Sequence, residues 1–287
     1  MNLNWMKHTK VYFLISALVI IPGLYSLARF GLKLSIEFTG GARLTLAQVQ
    51  ADQDKVIEIF KDYSPVVESR LNQTMTLKMK NIDQPTAQAQ VDTLKKESPQ
   101  IALTDFETIG PSLGKETMRK TLNALGLASL LLLAYISLAF KQLKYGICAI
   151  LAMFHDTAVL LGSFSLLGHF LNIEVDLLFV TAVLTILSFS VHDTIVVYDR
   201  IRELNKKNKS VNFVSIVNQA VTETMTRSLN NSLTIIFMLL AMFLLGGEST
   251  RFFSLALLIG TVTGTYSSTF TAAPLLVVWD RIINRNK

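Results

Sequence analysis

The sequence predicts an α-helical polytopic membrane protein with six transmembrane helices and a small α+β ferredoxin-like extracytoplasmic domain between helices one and two. Three observations lead there. The 287 residues are 51% hydrophobic and only 17% charged, outside the balance of ordinary soluble domains. Six apolar stretches reach the roughly 20 residues a helix needs to cross the hydrocarbon core. One long polar segment, 33–117, interrupts them and is large enough for a folded domain.

Residues 1–10 carry Lys7 and Lys10 and precede the first span, 11–32. Ala28-Arg29-Phe30 makes a poor cleavage site, so the run reads as a retained helix rather than a signal peptide. In 33–117, Leu34, Ile36 and Phe38 alternate with Ser35, Glu37 and Thr39 as a half-buried strand. Gly40-Gly41 suggests a bulge or sharp bend, after which Leu44 and Leu46 resume the alternation. Asp52–Tyr63 sets Val56, Ile57 and Phe60 at helical spacing. Val66–Leu71 and Thr74–Lys80 pair as strands around Asn72-Gln73, with Met75, Leu77 and Met79 on one face. Pro85 can open a second helix striped by Ala87, Val91 and Leu94, and Ile101–Thr108 is a last strand. The order βαββαβ is the ferredoxin-like arrangement. Gly110-Pro111 and Gly114 then read as a hinge into the second span, 118–141.

The remaining spans are 145–167, 177–201, 227–245 and 251–279. Between the fourth and fifth, segment 202–226 carries Val211, Val214, Ile216, Val217 and Val221, the pattern of an amphipathic helix on the inner surface. Lysines and arginines gather before span one, between spans two and three, after span four and in 280–287, while 168–176 has none. The positive-inside rule therefore places both termini in the cytoplasm and segment 33–117 on the outer face.

The chemistry centres on 177–202, where His192 and Asp193 lie well inside the apolar length. An Asp at a helix centre costs roughly 2.5–3.5 kcal/mol on insertion scales, which makes it a functional candidate by default. The bland reading is a packing polar; the functional one is a carboxylate that gains and loses a proton. Arg227, in the first turn of span five, is either its natural partner or an ordinary interfacial anchor. His155-Asp156 sits ~15 Å into span three at 1.5 Å per residue. The pair either extends a polar pathway beside Asp193 or satisfies itself. His192 points about 100° from Asp193 on an ideal helix, so the two cannot face one spot. Gly260 and Gly264, with Thr265, Ser267 and Ser268 close by, form a small-residue stripe suited to close helix packing. Cys148 stands alone and makes neither an intramolecular disulfide nor a cysteine metal site. There is no Walker loop, HExxH or GxSxG, so neither ATP chemistry nor an enzyme, metal or cofactor is expected.

Four motifs carry a family resemblance. They are Phe38-Thr39-Gly40-Gly41; Ile109–Gly114; Asp193-Thr194 through Asp199-Arg200-Ile201-Arg202; and Arg227-Ser228 with Gly246-Gly247-Glu248 and Gly264–Ser268. Together they resemble the SecF branch of the SecD/SecF family, within the resistance-nodulation-division superfamily, along the whole chain. Glu37 stands where the family has Asp, and His192 where it has Asn. The resemblance implies an inner-membrane subunit of the Sec protein translocase. It implies SecD, the SecYEG channel and a translocating unfolded preprotein as partners, with YajC and YidC as further candidates and no nucleic acid. It also implies the proton motive force as driver, with a proton (Na⁺ in some relatives) as coupling ion and the positions of Asp193 and Arg227 on its path. The rival reading is a small-molecule efflux subunit of the same superfamily. The domain between spans one and two has few aromatics, Phe38, Phe60, Tyr63 and Phe106, which favours protein handling.

Overall fold

The computed structural model describes residues 4–49, 53–71, 73–140, 142–208 and 210–285. Two compact units emerge, one of residues 1–32 with 125–287, the other Lys33–Ala124.

The second unit opens on a single helical turn, α2 (Ile36–Thr39), where the alternation had predicted a strand. Caps decide this. Ser35, in an extended conformation, accepts from the Glu37 amide at 3.3 Å. Gly40, at φ +72°, closes the turn by donating its N–H to Ile36 O at 2.8 Å. A Ser N-cap and a left-handed glycine stop outweigh a short apolar alternation. Then come β1 (Gly41–Ala47), α3 (Gln53–Ile59), β2 (Val66–Leu71), β3 (Thr74–Met79), α4 (Gln84–Glu97) and β4 (Ala102–Ile109). The expected Asp52 helix start and the Asn72 turn position lie outside the described residues. The sheet is antiparallel in order β2-β3-β1-β4. Leu44 and Leu46 of β1 face Leu77 and Met75 of β3 in register. They are buried with Val56 and Phe60 of the first helical segment and Ala87, Val91 and Leu94 of α4. The opposite face is polar, with Arg43 bonding Glu68 at 2.9 Å and lying 3.6 Å from Glu107. One packed face and one wetted face is the usual antiparallel solution.

Gly114, read as part of a hinge, and the Gly40-Gly41 pair are closely packed. A Cβ on Gly114 would meet the Gly40 nitrogen at 2.7 Å, and one on Gly40 would meet Pro111 Cα at 2.8 Å. Gly41, at φ +127°, lies against Met79 O. Only Gly110 of this group has open space around it.

The other unit is helical: α1 (Thr9–Phe30), the C-terminal part of α5 (Pro111–Ala139), α6 (Leu143–Leu171), α7 (Leu177–Lys207) and α8 (Phe213–Leu245). It ends with α9 (Glu248–Ser267), a five-residue π-helical turn Ser268–Ala272, and α10 (Ala273–Arg285). Among the described residues, four helices are long and apolar enough to cross a membrane by length and composition: Trp5–Phe30, Leu143–Leu171, Leu177–Lys207 and Phe213–Leu245. Their outward faces expose large apolar side chains such as Leu18, Ile21, Phe237 and Leu244, which water would penalise and lipid accepts. The predicted surface helix within 202–226 is no separate element. From Phe213 it runs straight into α8, whose Ile216, Val217 and Val221 are buried. The Trp5 indole donates to Thr222 Oγ1 at 3.0 Å and the Met6 amide to Asn218 Oδ1 at 2.9 Å, tying the chain's start to that extension.

Candidate functional site

Parallel packing sets the site. Helices α1 and α6 run in constant register: Ser16 with His155, Gly23 with Gly162 and Ser26 with Ser165 each meet across 139 residues. Helices α7 and α9 also run parallel, because Gly260 lies on Ile186, Gly264 beside Ser190, and Tyr198 donates to Ala272 O at 2.9 Å. A Cβ on Gly260 would sit 2.2 Å from Ile186 side-chain carbons, so that glycine is sterically required; Gly264 has ordinary clearance.

These registers bring two carboxylates to the middle of the bundle. Asp193, 4% exposed, accepts from Ser228 Oγ of α8 at 2.5 Å and from Ser268 Oγ at 3.4 Å. Asp156, 1% exposed, accepts on Oδ2 from Ser190 Oγ of α7 at 2.5 Å and from Ser267 Oγ of α9 at 2.6 Å. Its Oδ1 meets His155 Nδ1 at 2.9 Å, and His155 Nε2 meets Ser16 Oγ of α1 at 2.9 Å. The two hydroxyls from the last span come from adjacent residues, at the point where its winding changes from α to π. Such turns often mark functional sites in helices.

Among the described residues, Arg227 makes no salt bridge with Asp193, though its charge acts on that carboxylate from a distance. It is exposed beside an open cleft of about 590 Å³ lined also by Asp199, Arg200, Glu203 and Glu223. The next residue, Ser228, reaches the carboxylate instead, since one helical step turns the side chain by about 100°. His192 is exposed and, among the described residues, joins neither carboxylate by a side-chain hydrogen bond. His155 and Asp156 do join: they bond each other and also reach three further helices. The sequence reading missed the serines. The available signal was spacing: Ser190 lies one turn before Asp193, and Ser228 follows Arg227.

Fold and site define a polytopic membrane protein with ionisable groups held inside its helical bundle and a separate α+β unit. The chain belongs to the SecD/SecF family of protein-export membrane proteins. The model of the SecD/SecF C-terminal region matches residues 89–282, and that of the SecD/SecF GG motif matches residues 25–54. A protein translocase subunit SecF from Thermobaculum terrenum is 41% identical over 94% of this chain and 91% of its own. The SecF of Anaerolinea thermophila is 36% identical over 97% and 94%. A crystal structure of SecDF from Thermus thermophilus, described as a translocon-associated membrane protein, superposes with a TM-score of 0.85 at 28% identity. It covers 97% of this chain, which spans only 39% of that protein's length.

Proposed function

We propose that this chain is a protein translocase subunit that uses an ion gradient to complete protein export, with Asp193 as the group that takes up the ion. The observation that carries the proposal is a buried mid-helix carboxylate held by hydroxyls from two other helical segments. A hydroxyl can donate to a carboxylate or accept from a carboxylic acid. The site can therefore remain hydrogen-bonded in both protonation states, whereas a guanidinium would favour only the ionised one. A proton (or Na⁺) moving down the gradient supplies about 2.3 kcal/mol per charge per 100 mV. Neutralising Asp193 changes which hydroxyls donate and so repacks α7 against α8 and the π-helical turn.

Six spans, counting α5 and the α9–α10 helix, complete the reading. Cation-rich loops support both termini on the cytoplasmic side of the bacterial inner membrane, with Lys33–Ala124 outside. Its order βαββαβ and antiparallel sheet support a ferredoxin-like module that handles the emerging chain. The SecDF neighbour, nearly a complete superposition on less than half its length, supports a SecD partner with a second set of spans and association with the SecYEG channel. Translocase relatives favour export over efflux. The test is export driven by the gradient alone, after ATP is exhausted, in membranes carrying Asp193→Asn. Loss of that phase is expected; an unchanged rate overturns the reading.

A further inference from the structure

The last span touches both buried acids through consecutive residues. Ser267 Oγ bonds Asp156 and Ser268 Oγ bonds Asp193. Each serine also has a second acceptor within its own helix: Ser267 lies 3.2 Å from Gly264 O and Ser268 lies 3.1 Å from Thr265 O. Each hydroxyl can thus point across to an acid or back along the helix. The backward choice is known to bend helices, and here it falls at the start of the π-helical turn. Two buried hydroxyls close by in sequence, on Thr194 and Thr271, have no hydrogen-bond partner among the described residues. The hydrogen bonds at this junction are therefore incomplete, and a rearrangement has groups to engage.

Resting on the proposed function above, we propose that Asp156 is a second proton-accepting group on the ion path, and that Ser267-Ser268 link its protonation to that of Asp193. Asp156 as a carboxylate accepts from Ser190, Ser267 and the His155 ring. A proton arriving on Oδ1 leaves Oδ2 a neutral carbonyl oxygen, a weaker acceptor than a carboxylate oxygen, so the serines hold it less strongly. Ser267 then turns to Gly264 O, and the strain passes to the next residue, which holds Asp193. The proton has a route. His155 bridges Ser16 and Asp156 through its two ring nitrogens, so it can gain a proton at Nε2 and release the one on Nδ1 to Asp156 Oδ1. Among the described residues, the titratable groups at this acid are His155 on its own helix and, beside that ring, Tyr266 of α9, whose OH donates to the backbone oxygen of Tyr12; the charges that act on Asp193 are His192 of α7 and Arg227 of α8. The π-helical turn contributes hydroxyls alone.

The experiment uses membranes containing the full chain with its SecD partner and the channel. Gradient-driven export is followed against pH once ATP is gone. Asp156→Asn, which keeps shape and hydrogen bonding but not the proton chemistry, is expected to lose roughly tenfold or more of the rate. Asp156→Glu should recover part of it with a displaced pH midpoint. Ser267→Ala, which breaks the link while leaving both acids in place, should slow export and move its midpoint by about 0.5 unit or more. Asp156→Asn at the wild-type rate and profile overturns the proposal. So does a loss equal at every pH that Glu fails to relieve, which marks a packing role. If Asp156→Asn does not accumulate, Ser267→Ala decides, and an unmoved midpoint overturns it. Asp193→Asn run alongside separates the two ideas. Full rate there sinks the proposed function; a dead Asp193→Asn beside normal Asp156 and Ser267 variants sinks this inference only.

Discussion

Asp193 is held at 2.5 Å by the hydroxyl of Ser228, while Arg227, the residue before it, lies exposed beside a cleft. Removing that hydroxyl leaves a buried acceptor short of a donor, at roughly 1–3 kcal/mol. Ser228→Ala is therefore expected to lower the thermal midpoint of the purified protein and to slow gradient-driven export. Detergent-solubilised melting and vesicle export measure the two effects. An unchanged melting temperature would show that Ser268 or water replaces the lost bond at no cost.

Helices α1 and α6 come close at Gly23 and Gly162. A Cβ on Gly162 would lie 2.6 Å from Gly23 Cα, backbone that cannot step aside. Gly162→Ala should force the helices apart, misalign Ser16 with His155 and destabilise the protein by about 1–3 kcal/mol. Gly126→Ala is the control. That glycine has nothing within 4 Å and lies in a helix interior, where alanine is preferred by roughly 0.5–1 kcal/mol. Thermal unfolding should fall for the first and hold or rise for the second.

Membrane character and the buried acids were legible because a charge within an apolar run is costly and therefore conspicuous. The α+β unit was legible from periodicity: Met75, Leu77 and Met79 are buried as their alternation required, and so are Ala87, Val91 and Leu94. Two readings failed for local reasons. Leu34–Phe38 alternates like a strand, yet Ser35 and Gly40 cap it into a turn. Val211–Val221 is amphipathic like a surface helix, yet no breaker separates it from span five, so α8 is continuous. The serine partners stayed hidden because Ser in a membrane helix reads equally as a spacer. Only the register between helices, which no single sequence encodes locally, shows which hydroxyl meets which acid.

Asp83 caps α4, accepting from the Thr86 amide at 3.3 Å. Hydrogen bonding with Thr86 holds its carboxyl below the usual carboxylate range. A folded value below the unfolded one means the cap's contribution is complete above the unfolded value, near 4, and is lost as pH falls through the folded one. The α+β unit should thus loosen in acid earlier than at neutral pH, and Asp83→Asn, which still caps, should flatten that part of the dependence. Limited proteolysis of the full chain between about pH 3 and 7 reads it out. Equal acid sensitivity in both proteins would assign the effect to other carboxylates.

The Gly40–Gly114 approach gives the last prediction. Were these glycines a hinge, their value would lie in backbone freedom, and alanine at Gly110, which has open space, would harm function as much as alanine at Gly114. The packing says otherwise. Gly114 abuts the Gly40 nitrogen and Phe38 O, so a methyl group there must displace backbone on both sides. Gly40 further needs its φ of +72° with ψ of 168°, a region essentially reserved for glycine that costs other residues roughly 1–3 kcal/mol. Gly114→Ala and Gly40→Ala should therefore detach α2 from the start of α5, expose the joint to protease and reduce export, while Gly110→Ala stays near wild type. Export rates paired with cleavage at the joint distinguish the two pictures. A severe Gly110→Ala defect with a mild Gly114→Ala one would restore the hinge.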